Sequence, residues 1–238
     1  MKTNQDYKNA ALAALKGNWA PAVLVTVVFI FITSAVLLPG EIPLFKMQSN
    51  ATELSTMAAS GDIEGVMEYY SQMTSWSSLS TLLRVFLYNV LSVGFFVTFL
   101  KLLRTGDDRL TSNMFEISFR NYWHKLWGML LMHIFLLLWS LLFLIPGIVK
   151  AFSYAMTPYI LEENPELGAN EAIDRSRAMM KGHKFDLFWL YLSFIGWFVL
   201  CCLTLGIGFL WLTPYMETAT AAFYEDVKAD YEVNGGLI

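Results

Sequence analysis

The chain has 238 residues, 56% of them hydrophobic, 16% aromatic and 15% charged, with a formal net charge of −4. Soluble domains average about 25% charged residues, and here the charges are missing in blocks: none falls in residues 17–40, 126–149 or 187–216. About 20 apolar residues cross a bilayer's hydrocarbon as a helix, so three such blocks exclude an ordinary soluble globule and predict an all-α, polytopic membrane helix bundle.

In chain order, Thr3-Asn4-Gln5-Asp6 has the pattern of a helix-capping box with Asp in the Glu position. Tyr7, Ala10, Ala11, Ala14 and Leu15 then recur at helical spacing and form one face. This stretch precedes the first apolar run, which is too long for a cleavable leader and reads as a retained signal anchor. The run predicts a span over residues 20–38. The segment 40–79 holds five acids and one lysine and is expected to be an extracytoplasmic loop. A second span, 82–103, carries Asn89 at membrane depth, with Arg84 near its outer end.

Asp107-Asp108 follows Thr105-Gly106 in a short turn, where a solvated loop is the better reading than a metal site. A fainter amphipathic helix over 111–123 leads into the third span, 127–145, which contains His133. Pro146-Gly147-Ile148 marks the outer turn, with Lys150 and Tyr154 as outer-interface residues. The fourth span, 148–161, is short and reads either as a tilted helix or as a re-entrant segment. Next, Ala169, Ala172, Ile173, Ser176, Met179 and Met180 make a small-apolar helix face, with Arg175, Arg177 and Lys181 off it. These three cations are candidate contacts for lipid headgroups, and Met179-Met180 is expected to touch lipid tails. Spans 185–204 and 207–224 follow, turned at Leu205-Gly206-Ile207.

The chain therefore reads as one integral membrane domain, 1–238, with about six spans and two or three interfacial amphipathic helices. Leu15-Lys16-Gly17-Asn18 parallels Met180-Lys181-Gly182-His183, each directly before a span, which predicts three units of one interfacial helix and one hairpin. Thr157-Pro158-Tyr159 and Thr213-Pro214-Tyr215 recur in the two last returning helices. Lysine and arginine concentrate on the cytoplasmic side of membrane proteins. Threading with the N-terminus inside puts thirteen of the sixteen there, from Lys2 to Lys228, and leaves Lys46, Arg84 and Lys150 outside. Both termini are expected in the cytoplasm of a bacterial cell, with the chain multi-pass in its plasma membrane.

Several stretches also resemble a known family: Leu15–Trp19 (LKGNW), 138–165 (LWSLLFLIPGIVKAFSYAMTPYILEENP), 171–197 (EAIDRSRAMMKGHKFDLFWLYLSFIGW) and 204–224, with TLGIGFLWLTPY and AFY. Together they look like the bacterial integral-membrane family catalogued as domain of unknown function nine-seven-five. More distantly, the pattern is similar to the membrane domain attached to some glycerophosphodiester phosphodiesterases, whose catalytic domain this chain has no room for. The resemblance implies a fold and a bacterial membrane, and no activity.

No catalytic constellation is present in the sequence. His124, His133 and His183 are scattered without metal-ligand spacing, and there is no nucleophile elbow and no phosphate-cradling loop. Adjacent Cys201 and Cys202 make no disulfide framework. No cofactor, metal or nucleic-acid partner is expected; membrane lipids are, with other membrane proteins as further candidates. Asn89, His133 and Glu217 are the candidate intramembrane polar residues, each read first as a helix-contact residue. Glu217 is expected between helices, accepting hydrogen bonds from tyrosine or asparagine side chains. The expected function is non-enzymatic, as a scaffold, partner subunit or envelope component. The alternative is a transporter or lipid-handling protein with a polar cavity between hairpins.

Overall fold

Leucine is the commonest residue of the three uncharged runs, and it favours helix. The computed structural model describes residues 2–35 and 51–234, and its regular structure among these is helical throughout. The order is α1 (Asn4–Leu15), α2 (Trp19–Ala35), α3 (Ala51–Ser60), α4 (Ile63–Thr105), α5 (Leu110–Phe119), α6 (Tyr122–Leu142), α7 (Leu144–Tyr154), α8 (Thr157–Glu163), α9 (Ala169–Met179), α10 (Lys184–Leu192), α11 (Ile195–Leu203) and α12 (Phe209–Asn234). Two units are distinguished, Met1–Val28 with Asn89–Ile238, and Phe29–Tyr88. In the second unit the rings of Phe29 and Tyr88 come to 6.2 Å, and Asp62 caps the start of α4 by accepting from the Gly65 amide at 2.9 Å. The expected loop 40–79 lies outside the described residues up to 50 and is helical over α3 and the start of α4.

The first unit repeats one corner three times. A short amphipathic helix ends, one residue turns left-handed, and an apolar helix departs. Gly17 (φ 87°), Asn121 (φ 52°) and Gly182 (φ 92°) occupy the turn after α1, α5 and α9. Only glycine and, less readily, asparagine adopt that backbone without a steric cost from Cβ. At the first corner α1 and α2 meet at 97°. The capping box of α1 forms as its sequence predicts, Thr3 and Asp6 each serving the other's backbone amide.

The short helices bury their patterned faces in the protein. Tyr7, Ala11 and Leu15 of α1 are buried, α1 lies along α12, and Tyr7 meets Phe223 edge-on at 5.4 Å. Met114, Ile117 and Ser118 of α5 are buried, as are Ala172, Ile173, Ser176, Met179 and Met180 around α9. Met179-Met180 therefore fill the core rather than an outer face.

Among the described residues, membrane-length apolar elements number four: Val85–Thr105, Tyr122–Leu142, Leu144–Glu163 and Lys184–Leu203, or five if the bent pair α1–α2 counts as one. Six were expected. Residue 36 onward of the first lies outside the described residues, and α12 gathers Glu217, Glu225 and Asp226 within one span's length. The third of these elements breaks between Tyr154 and Thr157 into α7 and α8, and the fourth breaks at Ser193-Phe194 into α10 and α11. The turn before α7 falls at Phe143, extended at φ −159°, so Pro146-Gly147 sits inside the helix's first turns. Gly147 lets the hairpin close, since a Cβ there would stand 2.6 Å from Ser140 Oγ. Gly208 does the same in the last hairpin, where a Cβ would meet Cys201 Sγ at 2.8 Å.

The tightest approach joins α4 to α5. A Cβ on Gly94 would collide with Ser118 Oγ and with the Met114 carbonyl oxygen, and a backbone atom cannot move aside as a side chain can. Gly94→Val is expected to destabilise the chain by about 1–3 kcal/mol, read as a lower midpoint of thermal unfolding. An unchanged midpoint would show that α5 does not pack so closely.

Candidate functional site

The sequence Leu161-Glu162-Glu163-Asn164 ends α8, and three successive polar side chains there reach three different places. Glu162 takes the ammonium of Lys125 at 2.5 Å and also pairs with Arg120. Glu163 takes Arg104 at 2.5 Å and Lys228 at 2.7 Å, and accepts the Tyr224 hydroxyl at 2.6 Å. Asn164 accepts from Arg175 Nη1 at 2.9 Å. Arg104 binds Glu225 as well. The end of α4, the α5–α6 corner, α9 and α12 are thus tied to one tripeptide.

Lys125 is the residue least expected from sequence. Its side chain is 0% exposed, and besides Glu162 it donates to the carbonyl oxygens of Arg120, at 2.7 Å, and Ile117. Those carbonyls belong to the last turn of α5 and to its capping residue, where no intrahelical amide reaches. A buried ammonium is tolerated only when its charge and all its donors are matched, and here they are. No periodicity pointed to this, because the pattern that places Lys125 beside Trp127 is also the pattern of a cytoplasmic flank.

Further polar ties extend from the same end. Tyr7 Oη donates to Asp226 at 2.6 Å, and the Lys2 amide donates to it at 2.8 Å. Burial raises the pKa of the Asp226 carboxyl, but these donors outweigh it and hold the group below its ordinary value. The Arg109 guanidinium beside Asp107 likewise lowers that carboxyl, with Lys101 3.3 Å away. Asp107 is therefore an ion-pair residue of the α4–α5 turn. Among the described residues no three His, Cys, Asp or Glu side chains gather as a metal site.

The candidates from sequence fall in different places. Arg175, Arg177 and Lys181 do not share a face: residues two apart on a helix point about 200° apart, so Arg175 turns to Asn164 while Arg177 pairs with Asp174 at 2.6 Å. Lys181 is exposed. Asn89 is buried in α4. His133 lies on an exposed side of α6. Glu217 is half-buried in α12, within electrostatic reach of Tyr159 and Tyr191. Among the described residues it accepts no hydrogen bond, contrary to expectation. The small residues after it, Thr218 to Ala222, are all buried as helix contacts, and the two threonine hydroxyls satisfy their own helix at Pro214 and Met216. Among the described residues the Tyr159 hydroxyl also has no hydrogen-bond partner, its ring stacked on Tyr224 at 4.6 Å.

An open hollow of ≈ 410 Å³ is lined by Leu167, Glu171, Asp174, Arg175, Ala178 and Tyr231. It touches none of Asn89, His133 and Glu217.

Fold and site together define an all-α protein of apolar, membrane-length hairpins joined to one charged, heavily cross-linked end. A family model described as "Protein of unknown function (DUF975)" matches residues 1–153 and 141–231, and the chain belongs to that family. That match carries no link to phosphodiesterase membrane domains. No curated protein and no solved structure matches the chain.

Lys125→Met leaves two helix-end carbonyls and much of Glu162 unmatched, and is expected to cost about 3–5 kcal/mol. Adding Glu162→Gln should cost less than the two single losses summed, because the pair acts as a unit; additive losses in a denaturation series would sink the pairing. Glu217→Leu, by contrast, removes a partnerless carboxyl and should fold as well as wild type or better, measured as monodisperse yield. A sharp fall would show that the carboxyl has donors.

Proposed function

We propose that the chain is a multi-pass protein of the bacterial plasma membrane that works without catalysis, as a scaffold or partner subunit. The carrying observation is where its exposed apolar residues lie. Leu141, Leu142, Phe143, Leu144 and Ile145 at the α6–α7 turn are all exposed, and Leu205, at the α11–α12 turn, is 95% exposed. Contiguous apolar surface of this extent is rare on a water-soluble monomer. The opposite ends of the same hairpins carry the Glu162–Glu163 network. Hydrocarbon around the turns and water around the network would satisfy both.

The orientation reading has the same kind of support. The Lys2 amide and Tyr7 bond to Asp226, so the start of the chain and the late part of α12 share one end, the one rich in lysine and arginine. That favours both termini in the cytoplasm. A lipid-handling or transport role is the second reading. The observation behind it is Glu217, an acid without a hydrogen-bond partner set against two tyrosines in an otherwise apolar stretch.

Membrane residence is tested by alkaline carbonate washing, which the chain should survive in the pellet. For topology, Cys201 and Cys202 are replaced by serine, and single cysteines are placed at Ser60 and at Val233, which is 81% exposed. Ser60→Cys should react with an impermeant maleimide in intact cells and Val233→Cys only after lysis. Labelling of both in intact cells would overturn the threading.

A further inference from the structure

We propose that Lys150, Arg177 and Lys184 form a receptor for the phosphate oxyanion of one anionic membrane lipid, an inference that rests on the membrane reading above. Lys150 was expected on the face of the membrane opposite the other two. Two contacts set the helix segments that carry them side by side. Ser176 Oγ donates to the Ser153 carbonyl at 2.9 Å and accepts from the Met156 amide at 3.2 Å, which fixes the last turn of α9 on the break between α7 and α8. Arg177 follows Ser176 directly, and Lys150 lies three residues, about one turn, before Ser153. Phe152 then packs against Phe188 at 6.0 Å and Tyr191 at 6.3 Å, which lays α10 beside the same stretch of α7. Lys184 is one turn before Phe188. The Lys150 ammonium consequently lies within electrostatic reach of both Arg177 and Lys184.

The charge balance at this point is uneven. Asp174 pairs with Arg177 at 2.6 Å, and Asp186 faces His183 at 3.3 Å. Neither α6 nor α7 contributes an acid. Among the described residues, Lys150 and Lys184 have no carboxylate partner. Lys150 Nζ sits 4.4 Å over the Trp139 ring, which supplies a partial negative face and holds the ammonium in place. Lys150, within electrostatic reach of two further cations with one acid among them, is repelled by both, and an oxyanion beside it removes that cost.

The border of the cluster decides the source of the phosphate. Phe185 is 73% exposed and Trp189 54%, with Ile148 and Val149 also exposed nearby in sequence to Lys150. A free phosphate has no use for apolar walls, whereas a lipid phosphate brings acyl chains that cover them.

The test is native mass spectrometry of the full chain released from detergent micelles and titrated with phosphatidylglycerol, phosphatidylcholine or inorganic phosphate. One phosphatidylglycerol should bind more tightly than phosphatidylcholine. Lys150→Gln and Lys184→Gln should each weaken it about fivefold, and Lys150→Arg should restore it. Neutralising three exposed cations elsewhere, Lys2, Lys16 and Arg109, should leave it unchanged. An equal loss from that control set would reduce the effect to diffuse charge and overturn the site. Displacement of the lipid by inorganic phosphate with the same residue dependence would make it a soluble-anion site and also overturn it. Failure of the membrane reading would show separately, as loss of the wild-type chain from carbonate-washed membranes whatever the titration gives.

Discussion

Two adjacent acids at the end of α8 set the geometry of the first unit. Glu162 and Glu163 point to different sides of α8, because neighbouring residues on a helix diverge by about 100°. Each therefore collects its own cations: Lys125 and Arg120 on one side, Arg104 and Lys228 on the other. Asn164 adds Arg175. Helices that also share one apolar core are cross-linked through one short segment. Ion pairs in water contribute little, but this group is sheltered, and Glu162 and Glu163 are only 8% and 14% exposed. Removing a partner there exposes an unmatched charge to a poor solvent, so the network acts more as a constraint on arrangement than as a sum of attractions.

The rest of the unit is arranged by close approach rather than by charge. Gly94, Gly128, Gly147 and Gly208 stand where a Cβ would meet Ser118, Leu161, Ser140 and Cys201. Backbones brought so near gain dispersion contacts along their whole length. Charges at one end and glycine contacts along the shafts divide the work between them. The outer surface of the hairpins is left to apolar side chains.

Much of this was legible in the sequence, and the reason differs by feature. Helices were readable because apolar residues run long, and the short amphipathic ones because Tyr7, Ala11 and Leu15, or Ala172, Ile173 and Ser176, repeat at helical spacing. Two corners were readable because Lys-Gly precedes each departing helix; the third was faint because Asn121 takes the left-handed position in place of glycine. What those faces would touch was not readable. A small-apolar stripe is the same pattern whether it meets lipid or protein, and Met179-Met180 went to protein. The site fared less well. Glu162-Glu163 read as acids at a boundary and Lys125 as a basic flank, because partners far apart in sequence leave no mark on local spacing. That Lys150 lies within electrostatic reach of Arg177 and Lys184 was unreadable for a related reason. Threading assumes that each apolar run crosses fully, and the Ser176–Ser153 contact sets α9 partway along α7–α8 instead.

The burial of Lys125 bears on the order in which the chain assembles. Its two carbonyl acceptors lie 5 and 8 residues back, so the α5–α6 corner can close as soon as it is made. The carboxylate that neutralises the same corner arrives much later, Glu162 standing 42 residues beyond Arg120. Until then two positive charges sit at the corner with nothing to balance them, free to be hydrated and reluctant to enter a dry environment. The α6–α7 hairpin, with α8 at its end, is what delivers the missing acid. Completion of that hairpin and sealing of the corner are therefore one event, and a ribosome that stalls before residue 162 would leave behind an intermediate with a wet, open joint.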